Sequence, residues 1–150
     1  MNVIVVGGVV EKDGKFLLVK ENRGRWKGTW NIPAGKLEEH ESVIEGAERE
    51  FFEETGCKGS VCGLLSILNR VYDDMNIISF VFDMNLIDED IHSNGLEIED
   101  VAWFSYEELL EMKGQLRADG FYLPTLQKKL EKKILPTNLI NINRFDKKNS

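Results

Sequence analysis

Residues 35–57 read GKLEEHESVIEGAEREFFEETGC, and this stretch decides the fold. Ser42 is a good N-cap, and Glu45 three residues on completes a capping box, so a helix is expected over 43–55. Gly56 follows as the residue that ends it. At about 100° per residue, Ile44, Ala47, Phe51 and Thr55 fall on one core-facing stripe. Glu50, Glu53 and Glu54 share an arc of about 100° beside that stripe, and Gly46 leaves the arc sterically open. Carboxylates at i, i+3 and i+4 destabilise a helix unless something neutralises them. A solvated acidic face is the ordinary reading of such a cluster. Here the carboxylates adjoin the core stripe, lysines at i+4 are absent, and Arg49 is the helix's only base, placed to pair with Glu41. Those features favour a hard divalent cation, which takes carboxylate oxygen, water and substrate phosphate together.

Outward from the helix, apolar and β-branched runs alternate with turn signals. Residues 3–10 read as a buried strand, Asp13-Gly14 as a hairpin turn and 16–19 as the returning strand. A basic, glycine-bearing loop, ENRGRWKGT, covers 21–29. Trp30-Asn31-Ile32 is kept extended by Pro33. Beyond the helix, 61–71 and 77–86 read as paired strands and 98–104 as another. Ser105 caps a short helix ending near Met112, and 121–134 reads as a third helix with Pro124 in its first turn. The order β-β-β-α-β-β-β-α-α is no strict βαβ alternation. It predicts an α/β or α+β class, a mixed sheet with helices packed on it. One domain is expected over 1–136, and the polar segment 137–150 is expected to fray as a tail.

Composition narrows the function. The 150 residues carry 19 Lys+Arg against 26 Asp+Glu, a net charge of −7, which on average repels nucleic acid polymers and anionic lipid. Eight of the acidic residues fall within the 23 positions of 35–57, so a polyanionic substrate is still possible if they carry a metal. No apolar run approaches the ~18 residues of a membrane helix. Two Cys and two His are too few for a disulfide framework or a four-ligand zinc site. Cys57 and Cys62 read as small apolar residues of a cytoplasmic chain.

The spacing is more specific than the composition. Gly35, five residues, Glu41, seven residues and Arg49-Glu50-Phe51-Phe52-Glu53-Glu54-Thr55-Gly56-Cys57 give G-x5-E-x7-R-E-U-x-E-E-x-G-U, with U apolar. Seven fixed residues at average usage match by chance on the order of 10⁻⁹ per start position. The pattern resembles the Nudix box at every specified position. Trp30-Asn31-Ile32-Pro33-Ala34-Gly35 is similar to the family's W-x-x-P-G-G lead-in, with Ala34 in place of a common glycine. Trp103-Phe104-Ser105 and Glu107-Glu108-Leu109 look like its last strand and following helix.

The resemblance implies an α/β/α sandwich with a mixed β-sheet and Mg²⁺- or Mn²⁺-dependent hydrolysis of a diphosphate bond in a nucleoside diphosphate linked to another group. It implies Glu50, Glu53 and Glu54 as metal ligands, helped by the Gly35 carbonyl, with Arg49 and Glu41 as an orienting ion pair. Glu50 or Glu53 is the first expectation for the base that takes a proton from water; Glu97 or Glu99 could instead supply a base or a fourth ligand. For the substrate, Arg23, Arg25 and Lys27 are expected to grip phosphates, and Trp26 to stack on a base. Tyr72 lies near the tyrosine of dinucleoside-polyphosphate hydrolases. Leu116-Arg117 is similar to the broad-specificity nucleoside di- and triphosphate branch. The expected partner is a small nucleotide, with the chain a monomer or homodimer. The competing reading is a Nudix-fold sensor that holds a nucleotide or ADP-ribose without cleaving it; such proteins usually lose box carboxylates, and this chain keeps them.

Overall fold

The computed structural model describes residues 1–146. Strand β1 (Asn2–Val9) lies at the centre of a mixed four-stranded sheet. It runs parallel to β7 (Asn76–Leu86), which pairs in antiparallel fashion with β6 (Gly59–Val71). On its other side β1 is antiparallel to β5 (Ala34–Lys36). A second sheet is built on β3 (Lys15–Glu21), flanked by β2 (Glu11–Lys12), β4 (Trp30–Asn31) and β8 (Ile98–Ser105).

The expected extended piece at 30–32 proves to be two strands in different sheets. β4 pairs with β3, the chain turns at Ile32-Pro33, and β5 pairs with β1. Pro33 cannot donate to a ladder, which separates the two pairings. Its carbonyl instead accepts the Gly8 amide at 3.1 Å. The approach is so close that a Cβ at Gly7 would lie 2.8 Å from the Ala34 Cβ, so a side chain there would push β1 and β5 apart.

Helix α1 (Val43–Thr55) matches the expected bounds, with the Ser42–Glu45 capping box formed and Gly56 left-handed at φ 76°. It packs on the first sheet over Val6, Ala47, Phe51, Phe82 and Met84. A second core of Leu18, Trp30, Val81, Leu109, Tyr122 and Leu126 joins the two sheets to helices α2 (Tyr106–Glu111) and α3 (Leu123–Leu130). Helices on both sides of the sheets make the α/β layering expected.

One expectation at the C-terminal end is corrected. The helix predicted over 121–134 is shorter, because Lys132 takes a left-handed φ of 57° and Leu135 is drawn into two backbone hydrogen bonds with Leu64, at 2.8 and 2.9 Å. Two side chains of the polar segment after Pro136 meet the rest of the molecule. Ile140 packs against the α1 core, and Arg144 reaches the His40 carbonyl and the Glu45 carboxylate. Residues 147–150 of that expected tail lie outside the described residues. Cys57 is buried as expected, whereas Cys62 is exposed, with its thiol 3.4 Å from Asp83. Among the described residues no helix is long and apolar enough to cross a membrane.

Candidate active site

The capping box fixes where α1 starts, and thereby which side chains of its second and third turns reach β5. Glu50 and Glu54 are one turn apart on the face toward that strand. Glu54 is only 4% exposed, and its Oε1 accepts the Ala34 amide at 2.7 Å. Glu50 lies against Gly35 so tightly that a Cβ there would come 2.2 Å from the Glu50 carboxyl carbon. Gly35 is thus required by contact with a carboxylate. Glu53, on the outer edge of the arc, keeps 51% of its side chain in solvent.

Arg49 organises the rest. Its Nε and one terminal nitrogen fork onto Glu41 at 2.8 and 2.7 Å, and that same nitrogen donates to the Lys36 carbonyl at 3.1 Å. The other terminal nitrogen donates to Glu50 at 2.9 Å and Glu53 at 3.1 Å. The expected Arg49–Glu41 pair therefore forms, and the same guanidinium also holds two of the three expected metal ligands. With Arg49 between Glu50 and Glu53, no three His, Cys, Asp or Glu side chains among the described residues are gathered into a ready-made metal cage.

The electrostatics follow from burial and this one cation. Arg49 holds the Glu41 carboxyl below its usual range. Burial raises the Glu50 pKa, with Arg49 opposing it. Burial pushes Glu54 well above the carboxylate range, and its neighbours Glu21, Glu50 and Glu97 push it further. Among the described residues no cation pairs with Glu54. An oxygen-only donor set, part buried and with surplus negative charge, fits a hard divalent ion, so the residues present suit Mg²⁺ or Mn²⁺.

These groups line one end of a cleft of about 760 Å³ between the two sheets. Gly35, Arg49, Glu50, Glu53 and Glu54 line it, as do Arg23, Arg25 and Glu97. Arg23 pairs with Glu97 at 2.7 Å, and Arg25 stacks over Trp26 at 4.9 Å. Lys27, Tyr72 and Glu99 do not line the cleft. Tyr72 stands half-exposed at the β6–β7 turn, and Glu99 faces Lys20 at 3.9 Å. Of the two later glutamates, Glu97 is the one brought to the site. Trp30 is core, and Trp26 lines the cleft.

Four matches fit this geometry. The family model for the NUDIX domain matches residues 1–123. The chain belongs to the Nudix family. A phosphatase NudJ of Escherichia coli is 34% identical to this Nudix chain over 112 residues, covering 72% of it and 71% of the relative. An ADP-ribose pyrophosphatase of Methanocaldococcus jannaschii is 32% identical over 108 residues. That alignment covers 71% of this chain but 63% of the archaeal protein, so the chain spans somewhat under two thirds of that relative. A NUDIX hydrolase from Nitrosomonas europaea superposes with a TM-score of 0.84 at 28% identity, over 95% of this chain and 98% of the other.

Several cleft residues of this Nudix chain were not singled out in the sequence: Glu21, Asn31, Arg70, Ser79 and Phe121. Arg70 had one legible signal, a charged residue in an apolar strand; the others had none that spacing could reveal.

Proposed function

We propose that this Nudix chain hydrolyses a diphosphate bond in a nucleoside di- or triphosphate, or in a nucleoside diphosphate linked to another group, with Mg²⁺ or Mn²⁺. The observation that carries this reading is that Glu50, Glu53, Glu54 and Glu97 line one cleft beside Gly35, with Arg23 and Arg25 at its mouth. The names of the relatives, an ADP-ribose pyrophosphatase and a phosphatase, support the same reaction class.

Glu50, Glu53 and Glu54, with the Gly35 carbonyl, would hold the ion, which when bound neutralises diphosphate charge and lowers the pKa of a water. Arg49 orients Glu50 and Glu53 while Glu41 anchors it. Glu53, half in solvent at the cleft edge, is the first choice to take the proton from the attacking water, with Glu50 second. Glu97 contributes a further carboxylate, and Arg23 and Arg25 grip phosphate oxygens bidentately.

The test is turnover of a nucleotide panel read by phosphate release. Activity is expected to vanish in EDTA and return with millimolar Mg²⁺ or Mn²⁺. Glu53→Gln keeps size and removes charge, so kcat is expected to fall by about 10²–10⁴. Near-normal kcat in that variant would reject this arc as the active site. A monophosphate ester cleaved faster than any diphosphate-containing nucleotide would reject the substrate class. Nucleotide binding without turnover would make the chain a sensor.

A further inference from the structure

The cleft is longer than the diphosphate site, and its far end has its own unmet chemistry. Arg70 stands on β6, register-paired with Ile77, which is paired with Val3. The order β5-β1-β7-β6 puts Arg70 three strand spacings, about 14 Å, across the sheet from the Gly35 strand. Its guanidinium lies 4.3 Å over the Phe121 ring, and its Nε is buried with no hydrogen-bond partner. Among the described residues, Arg23, Arg49, Arg117 and Arg144 each pair with a carboxylate; Arg70 and the exposed Arg25 pair with none. A half-buried guanidinium left unpaired in a chain of net charge −7 is a receptor awaiting an acceptor.

Two further orphaned atoms line the same cleft. Ser79, 4% exposed, sits diagonally from Arg70 on the same sheet face, and its Oγ has no partner. Across the cleft, Asn31 is also 4% exposed with Oδ1 unpartnered. Its Nδ2 points to the Glu21 carboxylate at 3.5 Å, which fixes the amide orientation. Donors at Arg70 and Ser79 therefore line the same cleft as an acceptor at Asn31. Val3, Val5 and Ile77, on the same sheet face as Arg70 and Ser79, give the cleft an apolar floor, and Trp26 and Phe121 line it too. A second phosphate suits neither the apolar floor nor the Asn31 oxygen. A planar heterocycle with acceptors on one edge and N–H donors on another suits both.

We propose that Arg70 is a specificity-determining residue that reads the acceptor edge of a 6-oxopurine, with Ser79 beside it and Asn31 accepting from the ring's N–H edge. The inference rests on the nucleotide reading above but is tested separately from it. An arginine edge matches the adjacent O6 and N7 of guanine, whereas adenine sets an amino donor beside N7.

The experiment is isothermal titration of GDP, IDP and ADP into the Glu53→Gln chain in millimolar Mg²⁺, which reads binding without turnover. GDP and IDP are expected to bind roughly 10-fold tighter than ADP, the lower part of the range for a bidentate arginine contact. Adding Arg70→Met should bring the three affinities together, and Arg70→Lys should restore only part of the difference. Ser79→Ala should narrow it less. Equal affinities in the Arg70-containing chain, or a preference that survives Arg70→Met, would overturn the assignment. An affinity that tracks phosphate number and ignores the base would overturn it in favour of a phosphate at the far end. Absence of turnover in the wild-type chain counts against the hydrolase reading alone, since the binding ratios decide this one.

Discussion

Of the carboxylates on α1, Glu54 is held furthest from water, with one oxygen on the Ala34 amide and, among the described residues, no cation paired with it. Burying a charge without a partner destabilises a fold, and replacing it by a neutral group of the same shape relieves that cost. Glu54→Gln keeps an oxygen for the Ala34 N–H, so its Tm in EDTA is expected to rise by a few degrees, at about 2–4 °C per kcal/mol for a domain of this size. Millimolar Mg²⁺ should then raise the Tm of the wild type but no longer that of the variant, because the ligand that stabilises the native state has lost its site. Calorimetry of both chains with and without metal checks this. A Tm that falls in EDTA would mean the native carboxylate is already compensated. Helical phase alone set Glu50 and Glu54 beside the core. It did not separate the buried Glu54 from the half-exposed Glu53, since that depends on where β5 lies against the helix.

At the scale of elements, α1 was legible because its signals are local. Ser42 and Glu45 satisfy each other's backbone amides at 3.1 Å, and Gly56 adopts the left-handed turn that a side chain would strain. Ser42→Ala removes one of these bonds and is expected to cost about 1 kcal/mol, or a Tm lower by about 2–4 °C in thermal melts. An unchanged Tm would show that the cap does not limit stability. The third helix was overextended for the opposite reason. Its residues 131–134 carry a helical pattern, but the backbone pairing of Leu135 with Leu64 is non-local and prevails over propensity. The division of 30–36 between two sheets was hidden in the same way, although Pro33 marked the place.

Across the whole molecule, the segment after Pro136 ties the C-terminal end back to the start of α1 through Ile140 and Arg144. Removing residues 137–150 withdraws a partly buried isoleucine, so a Tm lower by a few degrees is expected, with kcat little changed because none of the described residues among them lines the cleft. A truncated chain that melts with the full one would show that the contact contributes nothing in solution.

The sequence by itself determined the acidic helix, its caps, the Arg49–Glu41 pair and the family. All of these lie within 35–57 and depend on spacing along one short piece of chain. Only the tertiary structure decided that Glu97 and not Glu99 reaches the cleft, that Lys27 and Tyr72 stay outside it, and that Arg49 bridges Glu50 and Glu53. It also brought Asn31, Arg70, Ser79 and Phe121 from separate elements around one space. Strand register and sheet crossing set these contacts, and both arise between segments far apart in sequence, where no local pattern records them.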